Sequence, residues 1–272
     1  ILVGAAQTLI PHADRLAGRI RFLLQPAEET ARGARAMIDH GALDGWTPRA
    51  VLALHGWPGL PTGTLATKTG TLTAGCDAFA IHITGKGGHG ARPEKALSPL
   101  PGMARMIRAA PSLCGSDRIV SLCVARAGEK ENVIPDEATL AGTVRSLSPA
   151  ARRRALEDLR RCAAEECAQE GLAQRVDVHT CCPPVINDEQ LATRFLELNG
   201  RHGPTALLSE PSMGSEDFGF FLEHAPGLLV RLGLGTGAHA LHHSRFDFND
   251  DALPAGVRAL VLMTLDLASG ET

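Results

Sequence analysis

Apolar residues along this chain recur with two different periods, and the changes between them divide it into elements. The opening "ILVGAAQTLI" is apolar at helical spacing from its first residue and has no cap residue, so it reads as the inside of a helix whose start is missing. The pattern then predicts a strand over 19–24, a helix near 31–40, a strand "RAVLALH" ending at His55 and a short strand in "GTLATKTG". That is the rhythm of an α/β layer. From Asp77 the order changes to strand "DAFAIHITG", helix "KALSPLPGMARMIRAA", strand "RIVSLCVARAG", strand "EATLAGTVRS", a long helix, and strand "RVDVHTC". This β-α-β-β-α-β order is the split unit of ferredoxin-like domains. The long helix is bounded by Ser148 as N-cap, Pro149 at its first position and Gly171 as its stop. After "CCPPVIND" helix and strand resume. The expected fold is therefore α/β: a larger domain of residues 1–74 and 183–272, with a smaller domain inserted at 75–182.

Composition narrows the function classes. A net charge of -3, 4% aromatic residues and no tyrosine argue against nucleic-acid binding, which needs a basic face and stacking rings. The run "ARRRALEDLRR" is interrupted by Glu157 and Asp158 and reads as a solvated helix face. No apolar run approaches bilayer length, so no membrane partner is expected. The seven cysteines are odd in number and lack Cys-x-x-Cys spacing, as in a cytoplasmic protein with reduced thiols.

Two motifs carry candidate chemistry. "GKGGHG" fits Gly-x-Gly-x-x-Gly after a strand, but Pro93 delays the helix, the ribose-binding acid is missing and the strand order is of antiparallel type. A dinucleotide site is not expected there, and His89, exposed by a glycine loop, is the residue left to explain. The adjacent acids Glu28 and Glu29 have a plain reading, the first turn of the helix that follows them. They also have a chemical one. They follow one predicted strand as His55 ends another, and "HALHHSRFDF" supplies His239, His242 and His243 downstream. Carboxylate plus imidazole is a donor set for catalytic zinc or manganese. Adjacent residues in extended backbone point to opposite sides, so one acid can hold metal while its neighbour faces a bound water.

Taken together, "LLQPAEE", "LALHGWPGLPTGT", "GKGGHGARP", "NVIPDEATLAGTVRS", "PSMGSEDFGFFLE" and "LHHSRFDFNDDALPAG" resemble, in order and spacing, the aminoacylase and carboxypeptidase family of dinuclear metallohydrolases. The branch of hippurate hydrolases, N-acyl-amino-acid amidohydrolases and auxin-conjugate hydrolases is the most similar. The resemblance implies a metallopeptidase-type catalytic α/β domain with an inserted ferredoxin-like dimerisation domain, two divalent ions, Mn or Zn, per subunit of a complete member, and a homodimer. It implies Glu28 as general base, Glu29, His55 and His242 as metal ligands, and His89 as the residue that crosses to a partner subunit's site to stabilise the oxyanion. Asn132 and Arg145 correspond to the pair that binds the substrate's free carboxylate. The implied reaction is amide hydrolysis of N-acyl amino acids, with Glu28 taking a proton from water and returning it to the leaving amine. The family's Cys-Gly-His-Asp-Gly-His segment has no counterpart between Ile1 and Thr272. The expectation is thus an N-terminally truncated chain, either a hydrolase fragment or a non-catalytic remnant that dimerises or binds ligand.

Overall fold

The first helix, α1 (Leu2–Leu9), buries Ala5 and Leu9 against Leu260 and Val261 near the chain's end, and leaves Val3 exposed. This computed structural model describes residues 1–269, which fall into two compact units. One takes 1–72, 185–212 and the chain from 217 onward; the other takes 73–184 together with 213–216.

The strand expected over 19–24 is not formed: these residues join no ladder. Their alternation survives. Ile20 and Phe22 face the apolar cluster around α1, while the guanidinium groups of Arg19 and Arg21 stack over Trp46 at 4.6 and 4.1 Å. Side-chain partition alone does not make a strand, which also requires a neighbour to take its backbone groups.

The rest of the first half consists of α2 (Gly33–Asp39), β1 (Val51–Trp57), β2 (Leu65–Thr67) and β3 (Gly70–Thr73). The second unit runs through β4 (Gly75–Thr84), β5 (Gly88–His89), α3 (Leu100–Ala109), β6 (Arg118–Ala127), β7 (Val133–Ile134), β8 (Glu137–Ser146), α4 (Pro149–Ala168) and β9 (Ala173–Cys182). The chain then returns through β10 (Val185–Asn187), α5 (Glu189–Gly200), β11 (Thr205–Leu207), α6 (Gly219–Leu222), β12 (Gly227–Gly233) and α7 (Leu253–Ala268).

The first unit's main sheet has the order β1-β12-β2-β11, parallel at β1/β12 and β2/β11 and antiparallel at β12/β2. Every residue of β12 is buried. Leu228, Val230 and Leu232 face Ala192 and Phe195 of α5 and Ala255, Ala259 and Met263 of α7. Strand alternation therefore turns Leu229, Arg231 and Gly233 to the opposite face.

The second unit's sheet has the order β6-β8-β4-β9, antiparallel throughout, which is the ferredoxin-like arrangement. Its core joins Phe79, Ile81 and Ile83 of β4 and Leu140 and Val144 of β8 to Met106 of α3 and Leu156, Leu159 and Ala163 of α4. Ser148 caps α4 by accepting from the Ala151 amide at 3.1 Å. Asp77 is buried in β4, where Arg152 of α4 meets it with two 2.7 Å contacts. Cys123 is extruded by a bulge between Leu122 and Val124 and is exposed.

Candidate active site

Glu28 and Glu29 occupy neither the extended backbone nor the first helical turn expected for them. They form a single 3-10 turn, Glu28–Thr30, and α2 begins only at Gly33. Ala27 and Ala31, on either side of it, are both left-handed, with φ of 58° and 52°. Among the described residues only one other non-glycine residue has positive φ, and it is His242 at 64°. A side chain in this region costs of order 1 kcal/mol, and it persists where surrounding contacts impose it. In such a turn successive side chains diverge by about 120° rather than 180°, which still separates the two acids. A carboxylate oxygen of half-buried Glu28 lies within 4.8 Å of one of Asp217. Exposed Glu29 faces His242, with Oε2 3.7 Å from Nδ1.

Asp217 is a site residue that the motif reading left without a role. It is fully buried, accepting from Gln25 Nε2 at 2.6 Å and from the Ala34 backbone amide at 3.0 Å. One carboxylate therefore grips the loop just before and just after the Glu28–Glu29 turn. The sequence signal is an acid set directly against the apolar run 218–222, because a buried acid must find donors. Gly33 closes the same loop: a Cβ there would lie 1.7 Å from the Pro26 carbonyl oxygen.

His55 sits two residues inside the end of β1, half-buried, with its ring edge-on to Trp57 at 5.9 Å. Its Nδ1 is 2.7 Å from the Gly56 carbonyl oxygen. That contact calls for a proton on Nδ1 and leaves Nε2 as the ring's free lone pair, the usual disposition of a histidine that ligates metal. His242 and His243 differ in surroundings. His243 stacks on His239 at 4.7 Å and accepts from the Arg245 amide through Nδ1, whereas His242 turns to Glu29. Thus two of the three expected ligands are neighbours, but Glu29, His55 and His242 do not close into a group with donor atoms within 4.8 Å of one another.

In the second unit, His89 and Asn132 are brought together. β5 pairs with β7, placing His89 opposite Val133, and the Gly90 amide donates to the Asn132 carbonyl at 2.9 Å. Asp136 pins the glycine loop, its carboxylate accepting from the Gly87 amide at 2.7 Å and its carbonyl from the Gly85 amide at 2.8 Å. The glycines of "GKGGHG" serve this close approach: a Cβ on Gly85 would meet the Leu97 carbonyl oxygen at 2.1 Å. His89 is exposed and its Nδ1 accepts from the Ala91 amide at 3.1 Å, which places the ring proton on Nε2. Half-buried Arg145 donates to the Met213 carbonyl and the Ser215 hydroxyl, each at 2.9 Å. Both acceptors are neutral.

Comparison with known proteins agrees with this architecture. The model of Peptidase family M20/M25/M40 matches residues 1–266. A probable hydrolase of Synechocystis sp. is 38% identical over 95% of this chain and 68% of its own length. The N-acetylcysteine deacetylase of Bacillus subtilis is 34% identical over 93% of this chain and 67% of its own. The crystal structure of the Bacillus subtilis YXEP protein, described as a dinuclear metal binding peptidase from the M20 family, superposes with a TM-score of 0.87 at 31% identity. That alignment covers 98% of this chain and 70% of the other. The chain spans about two thirds of the length of these relatives. With a family match over nearly its whole length and relatives above 30% identity, the chain belongs to peptidase family M20/M25/M40 and is a metal-dependent hydrolase of amide bonds.

Proposed function

We propose that this protein hydrolyses the amide bond of N-acyl amino acids, releasing a carboxylate and a free amino acid. The observation that carries this reading is the separation of the two adjacent acids, Glu28 toward buried Asp217 and Glu29 toward His242. Glu29, His55 and His242 are oxygen and nitrogen donors suited to a divalent ion, zinc or manganese, and the His55 contact to its own strand presents Nε2 for that purpose. Held by these three residues, such an ion would supply Lewis acidity to the attacking water and to the acyl carbonyl. Glu28 removes a proton from that water and delivers it to the departing amine nitrogen. His89, protonated on Nε2, donates to the oxyanion, in the site of a partner copy by the family resemblance. Arg145 and Asn132 take the carboxylate of the amino-acid part; a planar guanidinium suits a bidentate carboxylate. Relatives named as N-acetylcysteine and N-acetyldiaminopimelate deacetylases support this substrate class.

Pairing of two chains through the second unit belongs to the same proposal. β6 and β9 are its open sheet edges, and Leu100 and Ile107 expose apolar surface on α3. Sedimentation showing a strict monomer would remove this part.

Metal content and hydrolysis of N-acetyl amino acids, measured on the parent and two variants, test the catalytic reading. Glu28→Gln should keep the metal and lose roughly two to four powers of ten in turnover. Glu29→Gln should lower metal occupancy instead. Near-full turnover in Glu28→Gln, or a parent that releases no amino acid when metal is supplied, would refute the assignment.

A further inference from the structure

Three of the seven cysteines meet at one corner of the second unit. Cys76 lies near the start of β4, and Cys181 and Cys182 end β9. The ladder between these strands shifts register there: Asp77 stands opposite Thr180, but Cys76 stands opposite Cys182. A regular ladder would put Cys181 opposite Cys76, so the extra residue of the bulge gives Cys76 two facing cysteines. Asp77 and Thr180 both meet Arg152 of α4, which turns their neighbours Cys76 and Cys181 to the sheet face away from that helix. The surroundings on that face are polar. Arg145 is the register partner of Cys76 on β8 and donates to the Ser215 hydroxyl, which in turn reaches the sulfurs of Cys76 and Cys182.

The two facing thiols are not equivalent. Cys181 meets Cys76 side chain to side chain, whereas the Cys182 sulfur meets the Cys76 backbone and Ser215. Cys76 and Cys182 are buried, and Cys181 is half-buried. Burial, with the Cys181 thiol adding to it, pushes the Cys76 thiol up from its ordinary value, and the Arg145 cation pulls it back. Residues opposed across an antiparallel ladder have Cα atoms about 4.5–5.5 Å apart, within the about 4.4–6.8 Å that a disulfide spans.

We propose that Cys76 and Cys181 form a redox-active pair that closes to a disulfide by exchange with a small disulfide. Cys181, which solvent reaches, attacks one sulfur of the reagent as its thiolate. The reagent's S–S bond breaks, half of it leaves as a thiolate, and a mixed disulfide remains on Cys181. Cys76 then gives up its proton and attacks the Cys181 sulfur, displacing the second thiolate and closing the bond. The two departing thiolates take up the two protons, so two protein thiols lose two electrons as one small disulfide becomes two thiols. Arg145 stabilises the Cys76 thiolate that performs the second step. The pair rests on the β4/β9 ladder and holds whether or not the hydrolytic reading does.

Peptide mapping by mass spectrometry, after the full chain meets glutathione disulfide at pH 8 without denaturant, tests it. Cys114→Ser and Cys123→Ser first remove the exposed thiols from the background. The linked Cys76–Cys181 peptide should exceed every other cysteine pairing at least tenfold and disappear on reduction. In urea that preference should vanish, because the ladder selects it. Cys182→Ser should link as the parent does, which assigns the bond to Cys181. Cys76→Ser should stop at the first step, with one glutathionyl group on Cys181. Should that variant fail to fold, Cys181→Ser, changed at the half-buried position, should leave Cys76 unlinked. A parent that keeps both thiols free or stops at the Cys181 adduct overturns the pair, as does a link that survives Cys181→Ser and is lost in Cys182→Ser.

Discussion

Asp217→Ala should loosen the Glu28–Glu29 turn more than any other single truncation around it. The substitution removes both acceptors at once, that of Gln25 Nε2 at 2.6 Å and that of the buried Ala34 amide at 3.0 Å. A hydrogen bond to a charged group contributes about 1.5–3 kcal/mol, so the pair is worth about 3–6 kcal/mol before any relaxation. Asp217→Asn should cost about half as much. Its amide can accept from Ala34 with the oxygen and donate with the nitrogen to Gln25, once that side chain turns its own amide over, which exchanges two charge-assisted bonds for two neutral ones. Urea unfolding gives the stabilities, and hydrogen exchange at the Ala34 amide reports the contact itself, since its protection should be lost in Asp217→Ala and largely retained in Asp217→Asn. A stability loss under about 1 kcal/mol for alanine, or equal exchange in the two variants, would show that Asp217 does not hold this loop.

Gly33→Ala should destabilise, although alanine normally favours a helix start by up to about 1 kcal/mol, because the new methyl meets the Pro26 carbonyl at 1.7 Å and the loop carrying Glu28 must shift; a rise in unfolding midpoint would contradict this. Arg152→Ala should cost the second unit about 3–5 kcal/mol by leaving Asp77 buried without its partner, and a urea midpoint close to the parent's would refute it. Burial pushes the Cys182 thiol up from 9.0 to about 11. Native alkylation at pH 8 should therefore modify exposed Cys114 and Cys123 and spare Cys182. Because the folded state holds that proton more tightly than the unfolded state, this contribution to stability is complete below pH 9 and is lost as pH rises toward 11; early labelling of Cys182 would break the argument.

The order of elements was legible in the sequence because it depends on local chemistry. The β-α-β-β-α-β order of the second unit follows from strand and helix periods, and the start of α4 from Ser148 and Pro149, all of which act within a few residues. Residue chemistry alone did not choose His242 over His243 to face Glu29, although the family resemblance pointed to His242, since two adjacent imidazoles are equivalent until the backbone turns one of them at a φ of 64°. The segment 19–24 shows the same limit: its alternation sorted Ile20 and Phe22 from Arg19 and Arg21, but a strand needs a neighbour that no local pattern can promise. Asp217 meets Gln25 and Ala34 from 192 and 183 positions away, and Arg231 reaches Trp57 only because β12 lies parallel to β1. Sequence by itself determined the order of the main helices and strands and which residues were candidates for chemistry. Tertiary structure decided their partners, because a buried polar group is satisfied by whatever the fold brings beside it, and that depends on strand order and packing rather than on distance along the chain.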